Sequence, residues 1–440
     1  MYKILFLIVL LLANFIPGKL FAQVKQDSLP ANASIEQCIA YAQKHNPLLE
    51  QSAIDEQITA QTVRSKLADW YPQVNFNYNL QHNFILQSTV IGGNTIKLGV
   101  DNTSSGQFTV SQTIFNKDVL LARRSKADVL QQSAQATANN KIDLAVNVAK
   151  AYYDVLATTQ QIKVAAENIV RIERSLKDAT AQYKAGVADK IDYKRATISL
   201  NNIKASKRSN EELLKAKAEY LKALMGYPDS AAINIVYDSV AMDNEIYIDT
   251  TQRPDYKNRI EYKLLETQRN LLEANVQYNK WSYLPSVSAN GAYNLNFQNN
   301  NFGKLYGTNY PNSFAALTFT VPIFQGGKRK ANLFTAGLQL KRSEQDIITL
   351  KNSVNAQYAQ ALASYKSSLE NYTALKDNVA IAKEVYDVIQ LQYRSGIKTY
   401  LEVITAETDL RTSQINYFNA LYQVLSAKVD VQKALGQIVY

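Results

Sequence analysis

Two short segments of the chain alternate apolar and polar residues, and long stretches of helical periodicity surround them. In the first, Val74, Phe76, Tyr78 and Leu80 alternate with Gln73, Asn75, Asn77, Asn79 and Gln81. In the second, Val287, Ala289, Gly291, Tyr293, Leu295 and Phe297 alternate with Ser288, Asn290, Asn294 and Asn296. A period of two belongs to a strand whose two faces meet different surroundings. About ten residues is the length of a tilted strand crossing a bilayer, and the polar face is almost uncharged and rich in Asn. Taken alone, the pattern also fits a strand of a soluble sandwich. A turn-rich loop follows each segment, Gly92-Gly93-Asn94 in one and Asn299-Asn300-Asn301 in the other. A second strand then returns, Phe108 to Phe115 and Leu317 to Phe324. The pattern predicts two β-hairpins with long tips.

An opening helix precedes each hairpin, Ser34 to about Asp69 and about Arg259 to Tyr283. Pro72 and Pro285 end them, because proline lacks the amide a helix uses. A far longer helix follows each hairpin. Asp118 to Ala185 holds no Pro or Gly, and Lys328 to Ser395 holds only Gly337. At the usual rise either would extend about 100 Å, which predicts coiled-coil-like packing. Ile162, Ala165, Ile169, Ile172, Leu176, Ala179 and Tyr183 are spaced alternately by three and four, as such a seam requires. Tyr372, Leu375, Val379, Ala382, Tyr386, Ile389 and Tyr393 repeat that seam 210 residues later.

The two halves are therefore copies. Tyr183-Lys-Ala-Gly186 recurs as Tyr393-Arg-Ser-Gly396, Asp192 as Glu402, Ala196 as Ala406 and Met225-Gly226 as Leu435-Gly436, all at a spacing of 210 residues. A repeat of half the chain is a duplicated unit rather than a solenoid. The predicted division is a first unit over 23–226, a linker over 227–258 and a second unit over 259–440. Each unit holds a hairpin (about 72–116 and 285–325), a long helix (about 117–185 and 328–395) and a return helix (about 190–225 and 400–435). Small strands are expected in the linker, at Ile233 to Tyr237 and Ile246 to Ile248. Residues 1–22 read as a secretory signal peptide: Lys3, the apolar run Ile4 to Ala13, and Leu20-Phe21-Ala22 before the cut. No Cys stands near that cut, so no lipid attachment is expected.

The net charge of +10 changes this picture little. Lys204, Lys207, Arg208, Lys215 and Lys217 lie along one helix among glutamates, which describes a solvated face rather than a nucleic-acid surface. Beyond the leader no apolar stretch reaches the ~18–20 residues of a membrane helix, so a membrane portion must be built from strands. Cys38 is the only cysteine, which excludes an intrachain disulfide and suits a core position on the first helix. His45 and His82 stand apart, and no metal spacing, nucleophile motif or phosphate loop occurs. Nothing here points to an enzyme or a cofactor.

Four strands cannot close a barrel, because the smallest need about eight. Open edges in lipid would leave backbone groups unpaired, at several kcal/mol each. The chain must therefore oligomerise, and its helices must project into water. An exported coiled-coil structural or adhesion protein would explain the helices, but not four alternating strands of matched length.

The order of hairpin, long helix, Tyr-x-x-Gly turn and return helix, made twice, resembles the TolC-like outer-membrane efflux proteins over essentially the whole mature chain. The sharpest motifs are Val321-Pro-Ile-Phe324-Gln-Gly-Gly327 and Tyr393-x-x-Gly396 followed by Glu402 and Ala406. The first unit departs from the former, reading Gln112-Thr-Ile-Phe115-Asn-Lys117. The resemblance implies a mixed fold and a homotrimer. Twelve strands would form one transmembrane β-barrel, and twelve helical strands a tapering periplasmic tunnel. It also implies a passive exit duct of a tripartite efflux or type I secretion system in a Gram-negative outer membrane. The duct would join a periplasmic adaptor (membrane fusion) protein and an inner-membrane pump, with outer-membrane lipid around the barrel.

The same resemblance assigns the helix-turn tips. Gly186 and Gly396 make the turns, and Val187 and Ile397 beside them are candidates for adaptor contact, since exposed apolar residues at a tip want a partner. Asp192 matches a tip carboxylate, Tyr393 the tyrosine that hydrogen-bonds it, and Lys398 an arginine that also restrains it. Together these three would be the gate latch, weakened because lysine lacks the bidentate fork. Glu402 matches the first of two carboxylates that ring the pore constriction. Thr405 stands where the second would be, leaving one ring. The residues themselves keep a plainer reading open. Asp192, Lys398 and Glu402 are also what solvated charges at a helix start look like, where acids favour the dipole. Tyr78, Phe297, Phe319 and Phe324 are candidates for aromatic bands at the bilayer surfaces.

Overall fold

The structure is a computed structural model, and it describes residues 32–235, 242 and 245–439. The signal peptide expected over 1–22 lies outside them. The chain runs α1 (Ile35–His45), α2 (Pro47–Ala68), β1 (Gln73–His82), β2 (Gln87–Ile91), β3 (Asn94–Leu98), β4 (Asn102–Phe115), α3 (Lys117–Lys184), α4 (Lys190–Met225), α5 (Ile260–Trp281), β5 (Ser286–Asn299), β6 (Asn312–Thr320), α6 (Lys328–Arg394) and α7 (Tyr400–Leu435). Short 3-10 turns cover Tyr256–Asn258 and Phe302–Gly307.

Two uninterrupted helices, α3 and α6, of 68 and 67 residues, set the length of the molecule. On the strand side α3 packs between α2 and α5, and α5 packs on α6. Toward the turns α3 packs between α4 and α7, and α7 packs on α6. Asn116 starts α3 by accepting the Asp118 amide at 2.8 Å. The seam spacing works as a coiled coil should: Ala165 and Ile172 are buried against Leu200 and Ile203 of α4. The main core lies midway along, where α1 and the linker close over α3, α6 and α7. Cys38, Val148, Leu221, Met225, Ile246, Tyr365 and Val424 belong to it. Each large apolar side chain buried there contributes about 1.5–3 kcal/mol.

The sheet order is β1-β4-β5-β6, all antiparallel. Phe76 pairs with Phe108, Phe108 with Tyr293, and Tyr293 with Ser313. This register puts Val74, Phe76, Tyr78 and Leu80 on the same face as Phe108, Val110, Tyr293 and Leu295. Asn75, Asn77 and Asn79 share the other face with Gln107, Thr109 and Asn294. One edge of β1 and one of β6 remain unpaired among the described residues.

Several elements differ from the sequence reading. The first helix is two helices. Pro47 has no amide to donate, and Asn46 turns aside to cap α2, accepting from Leu48 N at 2.8 Å while its Nδ2 donates to Leu224 O at 2.7 Å. The strand expected to reach Phe324 stops at Thr320 because Pro322 cannot donate to a ladder. The strand expected from Phe108 begins already at Asn102. The first loop is itself a separate hairpin, β2–β3, turning at Gly92 and Gly93, both with positive φ. Ile246–Ile248 is no strand, although Ile246 is buried and its carbonyl accepts from Tyr365 at 2.9 Å. The other small strand expected in the linker falls partly on residues outside the described ones.

Candidate functional site: the helix-turn tips

The α3–α4 and α6–α7 turns are built alike. Gly186 and Gly396 take left-handed φ of 74° and 73°, which a side chain would strain. Val187 N then donates to Gln182 O at 3.0 Å, and Ile397 N to Gln392 O at 2.9 Å. These are the bonds of a Schellman turn, and they satisfy carbonyls the helix end leaves open. Val187 and Ile397 are thrown outward, 76% and 72% exposed. Behind the turns a small cluster joins the two helical hairpins: Ala179, Ala196, Tyr393, Tyr400 and Val403.

The expected latch residues gather at this tip, but within one protomer they take other partners. Tyr393 donates its hydroxyl to Gln182 Oε1 at 2.8 Å, not to Asp192. Burial first, then the charge of nearby Asp192, raises the Tyr393 phenol. Lys398 Nζ donates to Glu402 Oε1 at 2.6 Å, because residues four apart on a helix are neighbours. Asp192 is raised by burial and by Asp189 beside it, against the pull of Arg195.

Glu402 is the third residue of α7 and closes a capping box. Its Oε2 accepts from Thr399 N at 2.9 Å and from Thr399 Oγ1 at 3.0 Å. The Lys398 bond, then the Thr399 backbone bond, holds this carboxyl at about 2. Equivalent positions of the repeat thus differ: Glu402 is charge-compensated inside the protomer, and Asp192 faces another acid. Gln182 was missed from sequence, although Gln182-Tyr183 and Gln392-Tyr393 repeat at the same spacing as the glycines. Among the described residues no group of acidic, His or Cys side chains is arranged to hold a metal. No described helix is long and apolar enough to cross a membrane.

A quartet of alternating strands with two open edges, carried on helices of about 100 Å, is one protomer of an oligomeric membrane channel. The profile of the family described as outer membrane efflux protein matches residues 38–227 and 258–437, and the chain belongs to that family. It is 22% identical over 428 residues to the outer membrane protein TolC of Escherichia coli (strain K12), covering 93% of this chain and 84% of that one. It is also 22% identical over 421 residues to outer membrane protein OprJ of Pseudomonas aeruginosa, covering 93% and 85%. Crystallised CusC superposes with a TM-score of 0.75 at 17% identity, covering 94% of this chain and 95% of that one. VceC of Vibrio cholerae superposes with a TM-score of 0.70 at 14% identity, covering 91% and 96%.

The fold is the one expected: a helical periplasmic barrel joined to a transmembrane β-barrel that three copies complete. The protein is an outer-membrane exit duct of tripartite efflux machinery, with its helical part in the periplasm. Its relatives are channel proteins rather than enzymes.

Proposed function

We propose that the tip is both the periplasmic gate of this duct and its docking end. The observation that carries the reading is the pair of glycine turns, each presenting an exposed aliphatic residue in front of a buried aromatic cluster. Val187 and Ile397 are the contacts for a periplasmic adaptor, which in turn joins an inner-membrane pump. The units 23–226 and 259–440 supply the two helical hairpins of each protomer, and 227–258 is the linker between them. Glu402 contributes the one acidic ring of the constriction, with Lys398 moderating its charge. Asp192, Tyr393 and Lys398 restrain the tip. The Tyr393–Gln182 bond holds one hairpin to the other within a protomer. Asp192, on which Asp189 acts against Arg195, is the anion available to a cation of the next copy.

The test is electrical. Purified trimers carrying Asp192→Ala with Tyr393→Phe should show a higher single-channel conductance in planar bilayers than the parent. An unchanged conductance removes these residues from the latch. Val187→Asp with Ile397→Asp should abolish co-purification of the cognate adaptor while leaving conductance intact.

A further inference from the structure

Above the tip cluster, where α3, α6 and α7 meet, a carboxyl group is buried that the gate reading does not use. Glu407 of α7 is 3% exposed. Arg171 of α3 approaches it, Nε 3.9 Å from Oε1, yet neither of these two atoms makes a hydrogen bond. The far arm of the same guanidinium donates to Asn168 Oδ1, and Asn168, wholly buried, keeps its Nδ2 unbonded. From α6, Tyr386 lies against the guanidinium, its ring centroid 6.0 Å from Cζ. From α7 itself come Arg411 and, toward the tip, Tyr400. From α4, Asp192 acts on Tyr400, and Lys204 pairs at 2.8 Å with Glu173, two residues from Arg171 on α3. Glu407 therefore bears the desolvation of a buried ion without the hydrogen-bonded pair that would offset it. Desolvation outweighs the opposing pull of Arg171 and Arg411 and pushes the carboxyl up to about 7.

The repeat shows that this arrangement is singular. Glu407 stands where the first unit has Thr197, and Arg171 where the second unit has Ile381. The pair thus marks the seam between α3 and α7 inside a protomer, and its pseudo-symmetric counterpart carries an apolar residue and a hydroxyl instead. That seam joins the α3–α4 hairpin to the α6–α7 hairpin, whose tips form the proposed gate.

We propose that Glu407 is a pH-sensitive strut between the two helical hairpins of each protomer. Neutral, it lets α3, α6 and α7 pack as observed. Ionised, it favours an arrangement in which the seam parts enough for Arg171 or solvent to reach it. The sign follows from linkage. Folded-state burial raises this acid above its ordinary 4.5, so its contribution to the observed packing is fully present below 4.5 and is lost as pH rises through about 7. The strut rests on the reading of the tips as a gate, and the experiment separates the two.

Trimers in planar bilayers should increase their open probability at least roughly tenfold between about pH 6 and pH 8, the factor expected from a single such acid titrating across neutrality, and more where the three copies act together. Glu407→Gln should hold the low-pH value throughout. A parent channel without pH response, or a Glu407→Gln channel with the parent's response, overturns the strut while leaving the duct standing. A trimer that does not conduct at all overturns the duct. If Glu407→Gln does not assemble, difference infrared spectroscopy of the parent decides instead. A protonated carboxyl band lost near neutral pH supports the strut, and the lack of any such titration refutes it.

Discussion

At Gly226 one added carbon has nowhere to go. The residue caps α4 at φ 66°, and a Cβ there would lie 2.2 Å from the His45 carbonyl oxygen. Its repeat partner Gly436, at φ 71°, would place a Cβ 3.4 Å from Asn258 O. Both substitutions strain a left-handed backbone, but only the first also forces backbone apart. Gly226→Ala should cost about 3 kcal/mol or more and Gly436→Ala about 1 kcal/mol, read from denaturant midpoints; equal losses would show that the contact with His45 does not matter. At the tip, Glu402→Gln preserves the capping box, since glutamine serves at that position. It should lower cation over anion permeability, and Lys398→Ala should raise it, both measured as shifts in reversal potential. The tip glycines were legible because a helix that reverses within a few residues needs one. The partner of Tyr393 was not, because a phenol reaches several side chains at once and spacing does not rank them.

Among the elements, the long helices, the strand alternation and the turns were readable because each depends on local periodicity. The break between α1 and α2 was not. Pro47 is tolerated in the first turn of a helix as well as at its end, so only the capture of Asn46 by Leu224 decides for two helices. Asn46→Ala removes both the cap and this buried bond and should cost about 2 kcal/mol, measured by thermal or urea unfolding; Asn46→Asp, which retains the cap alone, should recover part of it. The end of β6 was misread for a related reason. Val321 and Ile323 continue the alternation across Pro322, but Ile323 and the adjacent Phe324 are 89% and 87% exposed and belong to no ladder. The β2–β3 hairpin was hidden because its polar, glycine-turned sequence reads equally as an irregular loop.

For the whole molecule the open surfaces matter most. The unpaired edges of β1 and β6, and the exposed Phe334, Leu338, Val388 and Leu391 of α6, are the surfaces expected to lie against neighbouring copies. Leu338→Asp with Leu391→Asp should therefore weaken the trimer while sparing the protomer's helices. Gel mobility without heating should shift to monomer with circular dichroism unchanged. A stable trimer would mean that α6 faces solvent in the assembly.

The amino-acid sequence was enough to establish the duplication, the two long helices with their return helices, the count of four barrel strands, and the need for partner copies. Those follow from periodicity, from glycine and proline, and from the cost of open strand edges, all of which act within a segment or by counting. The chain's folding in space settled which charges meet. Lys398 pairs with Glu402 four residues away, Tyr393 with Gln182 across the hairpins, and Arg171 stops short of Glu407. A heptad seam specifies which face of a helix turns inward, but not which neighbour it meets or at what height. Small differences in helix rotation and stagger move a side chain from one partner to the next, so the chemistry of the tip had to be read from the packed structure.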